Sequence, residues 1–265
     1  EYTKKCMTVH IDIDRAEIGK NVSPDVSLWG DVKEILTKLL KEAPACTHPE
    51  WRKKVEEYKN ADVLPHDSAF SPAAIIGEVK NHCRPETIVA TDVGQHQMWT
   101  VQHFPFEKPR TLLTSGGLGT MGYGMGAAIG GCIACGRKRT VLFTGDGSFG
   151  MNLNEMATAV SQNLPLTIIV MNNDVLGMVR QWQGIFYGGR YSQTTLDRKT
   201  DFAALSRAFG AKGFTAFTMN DLKDALREAD GSDGPVLIDC HIGMDEKVLP
   251  MIPPGRSAKD IIVKG

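Results

Sequence analysis

Apolar and polar positions along the chain switch repeatedly between a period of two and a period near 3.6. Residues 7–13 (MTVHIDI) alternate and are rich in β-branched side chains, the pattern of a strand, and residues 26–29 read as a second short strand. Residues 31–40 (DVKEILTKLL) carry apolar side chains at helical spacing, with Asp31 placed as N-cap. The first forty residues therefore read as the end of an α/β unit. Residues 41–70 are polar, contain Pro44, Pro49 and Pro65, and read as a linker holding one helix around 51–58.

From Ser71 the alternation becomes regular. Ser71-Pro72 opens a helix, with proline at its first position, where no N–H is missed, and Glu78 beyond the first turn. The pattern predicts strands at 87–91, 112–114, 140–144 (TVLFT), 166–171 (LTIIVM) and 236–240, and helices at 121–135, 152–162, 202–209 and 222–229. The TVLFT and LTIIVM strands are continuously apolar, as strands covered on both faces must be. The expected fold class is α/β, a parallel sheet flanked by helices on both faces. Such sheets bind ligands at the carboxyl ends of their strands, which gathers residues 92–96, 115–121, 145–148 and 172–178 into one crevice.

Composition narrows the class of function. A length of 265 residues suits one to two domains, and 42% hydrophobic with 23% charged residues is ordinary for a soluble globular protein. A net charge of -1 gives no electrostatic case for nucleic acid or an acidic membrane surface, and the apolar runs are too short to span a bilayer. No signal peptide precedes Glu1-Tyr2-Thr3-Lys4-Lys5, and the missing initiator Met suggests a piece of a longer protein. Six sparsely spaced cysteines do not form a disulfide framework, which favours a reducing, cytoplasmic setting. Cys132-Ile133-Ala134-Cys135 has CxxC spacing, but its small apolar neighbours and the lack of a second Cys or His pair favour packing over metal or redox chemistry.

The chemistry sits at two strand ends. In Gly145-Asp146-Gly147-Ser148 the flanking glycines let a carboxylate approach a diphosphate-bound cation without steric obstruction. Asn172-Asn173 ends the next apolar strand, with Asn173 twenty-seven residues after Asp146. The Asp146 oxygen, the Asn173 amide oxygen and a backbone carbonyl, assigned to Val175, make half of an octahedral oxygen shell. Two diphosphate oxygens and a water complete it, which suits Mg²⁺. Asn in place of a second Asp avoids excess negative charge beside a diphosphate. Each motif alone is an ordinary turn or strand exit; the pair, each after a buried strand, is far more specific.

GDG followed by NN at this interval is similar to the signature of thiamine-diphosphate enzymes. The surrounding stretches Val93-Gly94-Gln95-His96-Gln97-Met98-Trp99, Thr114-Ser115-Gly116-Gly117-Leu118-Gly119-Thr120-Met121-Gly122-Tyr123-Gly124 and Gly177-Met178-Val179-Arg180-Gln181-Trp182-Gln183 resemble the large catalytic subunit of the acetohydroxyacid (acetolactate) synthases. The resemblance runs over nearly the whole chain; the family usually shows Leu-Pro where Met125-Gly126 stands, inside the predicted helix.

The resemblance implies an enzyme of branched-chain amino-acid biosynthesis. It decarboxylates pyruvate on thiamine diphosphate and adds the resulting enamine to a second 2-ketoacid, pyruvate or 2-ketobutyrate. It implies that Val93, Gly94, Gln95, His96, Gly119, Gly145, Gly147, Ser148, Leu176, Gly177 and Met178 contact the cofactor. Met121 would support its bent form beneath the thiazolium, and Trp182 would shape the second-ketoacid pocket. It also implies FAD without a redox role, with Asp12, Ile13, Asp31 and Val32 around its adenosine half and Gln97, Met98, Ser115 and Gly116 nearer its isoalloxazine ring. The expected layout is the end of a Rossmann-like, FAD-contacting middle domain at 1–40, a linker at 41–70, a diphosphate- and Mg²⁺-binding domain at 71–245 and a tail at 246–265. The glutamate that pairs with the aminopyrimidine would come from an N-terminal domain of a neighbouring subunit. That implies a parent homodimer or homotetramer, with room for a regulatory small subunit, and a chain inactive by itself.

Other readings compete. Gly117-Leu118-Gly119-Thr120-Met121-Gly122 is a literal GxGxxG between a strand and a helix, as in nicotinamide-dependent dehydrogenases. Against that, a ribose-binding acid needs no flanking glycines, and Asn172-Asn173 has no part in such a site. A related thiamine-diphosphate decarboxylase or carboligase and a non-catalytic module are the remaining alternatives.

Overall fold

The computed structural model describes residues 4–60, 69–197 and 199–264; residues 61–68 of the expected linker, with Pro65, and Glu1-Tyr2-Thr3 lie outside them. The chain divides into two compact units, Glu1–Val63 with Ile252–Ile261 and Leu64–Met251 with Ile262–Gly265.

In the first unit, β1 (Val9–Asp12) and β2 (Val26–Trp29) pair in parallel, Val9 opposite Val26 and Asp12 opposite Trp29. α1 (Val32–Glu42) starts at Asp31, whose carboxylate accepts from Lys33 N at 2.9 Å and Glu34 N at 3.2 Å, the cap that the sequence predicts. α2 (Pro49–Asn60) runs past both ends of the expected 51–58 helix, so much of the stretch read as linker is helical.

In the second unit, α3 (Pro72–Asn81) starts from Ser71 Oγ, which accepts from Ala74 N. There follow β3 (Ile88–Thr91), α4 (Gln95–His103), β4 (Leu112–Leu113), α5 (Tyr123–Ala134), β5 (Thr140–Gly145) and α6 (Asp146–Asn152). After a 3-10 turn come α7 (Met156–Ser161), β6 (Leu166–Asn172), α8 (Gly177–Phe186), α9 (Phe202–Ala208), β7 (Lys212–Ala216), α10 (Met219–Asp230) and β8 (Val236–His241). The helix expected over 152–162 is interrupted, because Asn152 leaves helical geometry (φ -141°) and its amide donates to Gly122 O at 3.2 Å.

All six strands are parallel, in the order β4-β3-β5-β6-β8-β7. Side chains alternate between two apolar layers. Val141, Phe143, Ile169 and Met171 face α3, α4 and α10 through Ile75, Ile76, Trp99, Leu222 and Leu226. Leu142, Ile168 and Val170 face α5, α6, α7 and α9 through Met125, Ala128, Phe149, Met156 and Phe202. Burial of both faces explains why β5 and β6 read as unbroken apolar runs. Cys132 packs in the second layer and donates its S–H to Lys138 O at 3.3 Å, while Cys135 is exposed.

The strand order locates the site. From β3 the chain moves outward to β4 and returns to β5 on the opposite side of β3. The connections leaving β3 and β5 thus diverge and open a crevice above their carboxyl ends, the place where parallel α/β sheets bind ligands.

Candidate functional site

A cleft enclosing about 510 Å³ of empty space, open solvent included, occupies that crevice. Its wall joins four segments: Val93, Gly94, Gln95 and His96 after β3, Met121 before α5, Gly145, Asp146, Gly147 and Ser148 after β5, and Asn173, Val175, Leu176, Gly177 and Met178 after β6. Every one of these was singled out from sequence. Trp99, Met171 and Val179 also line it and were not. Trp99 lies one turn after Gln95 on α4, and a helical reading of residues 95–103 would have brought it to the same face.

Four helix ends away from the cleft carry side-chain caps, whereas those that open on it, like α7 after its 3-10 turn, do not. α1, α3, α9 and α10 are capped by Asp31, Ser71, Asp201 and Thr218. α4, α6 and α8, which open on the cleft, start at Gly94, Gly145 and Leu176 without a side-chain cap. No side chain caps their first N–H groups, and partial positive charge at helix N-termini favours an anion. α5 takes its cap from another element: Asp92 accepts from Gly122 N at 2.8 Å and Gly124 N at 3.1 Å.

His96 is wholly inside the wall, and its Nε2 is a buried nitrogen without a hydrogen-bond partner, the one such side-chain atom among the described residues. Two glycines make room for its ring: a Cβ at Gly94 would lie 2.9 Å from His96 Cε1, and one at Gly145 would lie 2.9 Å from Nδ1. Gly94 also adopts φ 151°, which disfavours a side chain. Three helix ends without side-chain caps at one cleft fit a phosphate-bearing ligand.

Burial pushes the His96 pKa down to about 3, a hydrogen bond to the Asp92 backbone offsetting it in part. The folded protein therefore holds His96 neutral at pH values where the unfolded chain, with an imidazole near 6.5, takes up a proton. The corresponding stability is complete above about pH 6.5 and is lost as pH falls below it. Between pH 7.5 and pH 5 the loss from this group should be about 2 kcal/mol. Urea titrations at the two pH values should show it in wild type and a flatter dependence in His96→Gln; equal slopes in both would assign the effect elsewhere.

The two asparagines after β6 do different work. Asn172 Nδ2 donates to Asp239 Oδ1 at 3.0 Å and its Oδ1 accepts from Asp174 N at 3.3 Å, so this side chain is spent on holding the loop. Burial raises the Asp239 pKa, with His241 and Asn172 opposing the rise. Asn173 lines the cleft; its Nδ2 donates to Gln95 Oε1 at 3.2 Å and its oxygen accepts from Val175 N at 3.3 Å. Asp146, 4% exposed, is the first residue of α6, and Ser148 Oγ donates to Val93 O at 2.6 Å. A carboxylate, an amide oxygen and the Val175 segment meeting beside uncapped N–H groups provide the hard oxygen donors that Mg²⁺ prefers and the anion cradle that a diphosphate needs.

The remaining predicted residues lie off the cleft wall. Gly119 adopts φ 64°, with its Cβ position 3.8 Å from Val93 Cγ1. Trp182 is one turn beyond Met178 on α8, 37% exposed, with its ring edge-on to Phe186 at 5.5 Å. Near the end of β4, Gln97 Nε2 donates to Thr114 Oγ1 at 2.8 Å, Ser115 Oγ accepts from Thr120 N at 3.1 Å, Gly116 follows, and Met98 is exposed on α4. In the first unit, Asp12, Ile13 and Asp31 gather at the carboxyl end of the strand pair. There Gly30 N donates to Asp12 O at 3.0 Å and Trp29 Nε1 donates to Ile13 O at 2.9 Å.

The topology removes the dinucleotide reading of the GxGxxG run. That fingerprint needs its strand, β4, beside the strand after its helix, β5, and here β3 lies between them. Among the described residues no helix is long and apolar enough to cross a membrane.

Residues 92–240 match the family model of the C-terminal cofactor-binding domain of thiamine pyrophosphate (thiamine diphosphate) enzymes. Over 265 residues and 99% of its length, the chain is 38% identical to acetolactate synthase isozyme 1 large subunit of Escherichia coli (strain K12), covering 47% of that protein. It is likewise 38% identical to the acetolactate synthase large subunits of Pyropia yezoensis, covering 46% of it, and of Lactococcus lactis subsp. lactis (strain IL1403), also 46%. The chain thus spans about half the length of these curated relatives.

Proposed function

The chain belongs to the thiamine pyrophosphate enzymes, and from this premise we propose that it is the cofactor-anchoring part of an acetolactate synthase, which condenses pyruvate with pyruvate or 2-ketobutyrate. The carrying observation is the cleft at the strand-order reversal, where Asp146 and Asn173 meet three uncapped helix ends. The 38% identity to acetolactate synthase large subunits supports the choice of reaction over other carboligases or decarboxylases of the family.

In this reading Asp146, Asn173 and the Val175 carbonyl hold Mg²⁺. The N–H groups that open α4, α6 and α8, those of Gln95 and His96 among them, bind the diphosphate. Thiamine diphosphate, held there, would supply the electron sink that decarboxylation of a 2-ketoacid needs. Met121, with Leu176 and Met178, gives the cleft an apolar side that excludes water, and Trp182 walls the second-ketoacid pocket. No glutamate lines the cleft among the described residues. We assign the base that acts on the aminopyrimidine to a segment outside these residues, brought by a second subunit of a homodimer or homotetramer. By resemblance to the family, Asp12, Ile13 and Asp31 are the proposed contacts to the adenosine half of FAD, with residues 1–40 the end of the FAD-contacting domain, and Gln97, Met98, Ser115 and Gly116 are those nearer its isoalloxazine ring.

The test uses the protein containing this chain, supplied with pyruvate, 2-ketobutyrate, Mg²⁺, thiamine diphosphate and FAD. Acetolactate, read as acetoin after acid, is the expected product; acetaldehyde alone would indicate a decarboxylase. Trp182→Leu should lower the preference for 2-ketobutyrate over pyruvate about tenfold, the selectivity that one aromatic wall contributes. An unchanged product ratio would remove Trp182 from the pocket.

A further inference from the structure

Asn173 is the first of three buried amides whose chain leads away from the cleft. Its Nδ2 donates to Gln95 Oε1 at 3.2 Å, and Gln95 Nε2 donates to Gln181 Oε1 at 2.9 Å and to Glu246 O at 2.7 Å. Gln181, 4% exposed on α8, accepts at Oε1 from Val248 N at 2.8 Å and donates from Nε2 to Val248 O at 3.0 Å. Trp99 Nε1 donates to Lys247 O at 3.2 Å, Gln102 Nε2 to Leu249 O at 3.3 Å, and Arg180 pairs with Asp245 at 2.9 Å. Residues 245–249 are thereby strapped across α4 and α8, two of the helices that open on the cleft.

Groups that can only donate or only accept fix the direction of this run at both ends: Val248 N and Glu246 O in the strap, and Val175 N, which donates to the Asn173 oxygen at 3.3 Å. A backbone N–H can only donate, so Val248 N obliges Gln181 to turn its oxygen that way, and Val248 O takes the Gln181 amide nitrogen. The Gln181 oxygen and Glu246 O together take the Gln95 nitrogen, which leaves the Gln95 oxygen for the Asn173 nitrogen. The Asn173 oxygen, the atom that a cation requires, then faces away from Gln95. Gly177 leaves the space for this arrangement: a Cβ there would sit 2.0 Å from Gln95 Oε1.

We propose that Gln181 is a positioning residue for the metal–diphosphate site, coupling the seating of the 245–249 strap to the orientation of Asn173 through Gln95. The inference rests on the reading of the cleft as a Mg²⁺–diphosphate site. Coupling of this kind is reciprocal: the strap favours binding, and binding tightens the strap.

The test titrates thiamine diphosphate into the full chain by calorimetry over a series of Mg²⁺ concentrations, with thermal melts in the absence of both ligands as a control for folding. Gln181→Leu should raise the Mg²⁺ concentration for half-maximal binding about tenfold, as loss of one buried hydrogen-bond relay would. Gln181→Glu, whose protonated carboxyl group offers an acceptor and a donor in the same places, should restore the midpoint to within about threefold of wild type. Trypsin cleavage after Lys247 should be suppressed by Mg²⁺ and thiamine diphosphate in wild type and not in Gln181→Leu. Should the Leu variant fail to fold, Val248→Pro deletes the directing N–H while leaving Gln181 in place and should give the same shift. A wild-type midpoint in Gln181→Leu or in Val248→Pro, or a Glu variant as impaired as the Leu variant, overturns the proposal. A wild-type chain that binds no thiamine diphosphate at any Mg²⁺ concentration overturns the cofactor reading and this proposal with it.

Discussion

Asp146→Ala should abolish Mg²⁺-dependent binding of thiamine diphosphate while leaving the fold intact. Asp146 is the one acidic side chain among the described residues that line the cleft, and it is almost wholly buried. A divalent cation brought beside a diphosphate needs at least one anionic protein oxygen held in place, and the neighbouring amide oxygen and carbonyl carry only partial charge. Removing the charged partner of a desolvated pair should cost about 3–5 kcal/mol, two to nearly four decades of affinity. Alanine is well accepted at the start of a helix interior, so α6 should persist. Calorimetry with Mg²⁺ and cofactor is the measurement, and Asp146→Asn should fall between the two. Wild-type affinity in the alanine variant would sink the metal assignment.

Asp92→Ala should produce the largest loss of stability of any single change at the crevice. The carboxylate, 1% exposed, accepts from three backbone N–H groups, those of Val93 at 2.8 Å, Gly122 at 2.8 Å and Gly124 at 3.1 Å. It thereby ties the end of β3 to the start of α5, and Gly124 packs so closely that a Cβ would lie 2.9 Å from Asp92 N. Truncation leaves these buried donors without acceptors, at about 3–5 kcal/mol in total. For a domain of this size that corresponds to a fall in Tm of roughly 10 °C. Asp92→Asn, which keeps one acceptor oxygen, should lose less. A melt of the alanine variant within about 2 °C of wild type would show that the α5 start is held by other means.

Elements whose packing is two-sided or whose start is capped were legible in the sequence; elements shaped by the cleft were not. β5 and β6 announce themselves as unbroken apolar runs, and α1 and α3 through Asp31 and Ser71. The helices α4, α6 and α8 escaped prediction for the reason that suits them to a ligand: Gly94, Gly145 and Leu176 give no capping signal. β7 was missed because Lys212–Ala216 contains Gly213, which a strand pattern penalises. The glycine is needed there, since a Cβ would come within 2.1 Å of Ala203 O in the helix α9 packed above it. The residues that line the cleft were readable because carboxylate, amide and glycine at strand ends have few other uses together. The division of labour within Asn172-Asn173 was not, since it is decided by Asp239 and Gln95, distant in sequence.

The neighbouring pair β3 and β5, with Ile88 against Thr140, has a kinetic meaning. The two halves of the cleft meet only when strands far apart in sequence have paired, with β4 and α5 in the segment between them. Closing so long a loop costs chain entropy before any contact repays it, which puts this sheet among the slower-folding topologies. A ligand bridging the end of β3 and the end of β5 would act on the same event in reverse. It would clasp the two halves of the sheet together, lowering the rate at which they part and making the lifetime of the folded state depend on ligand concentration.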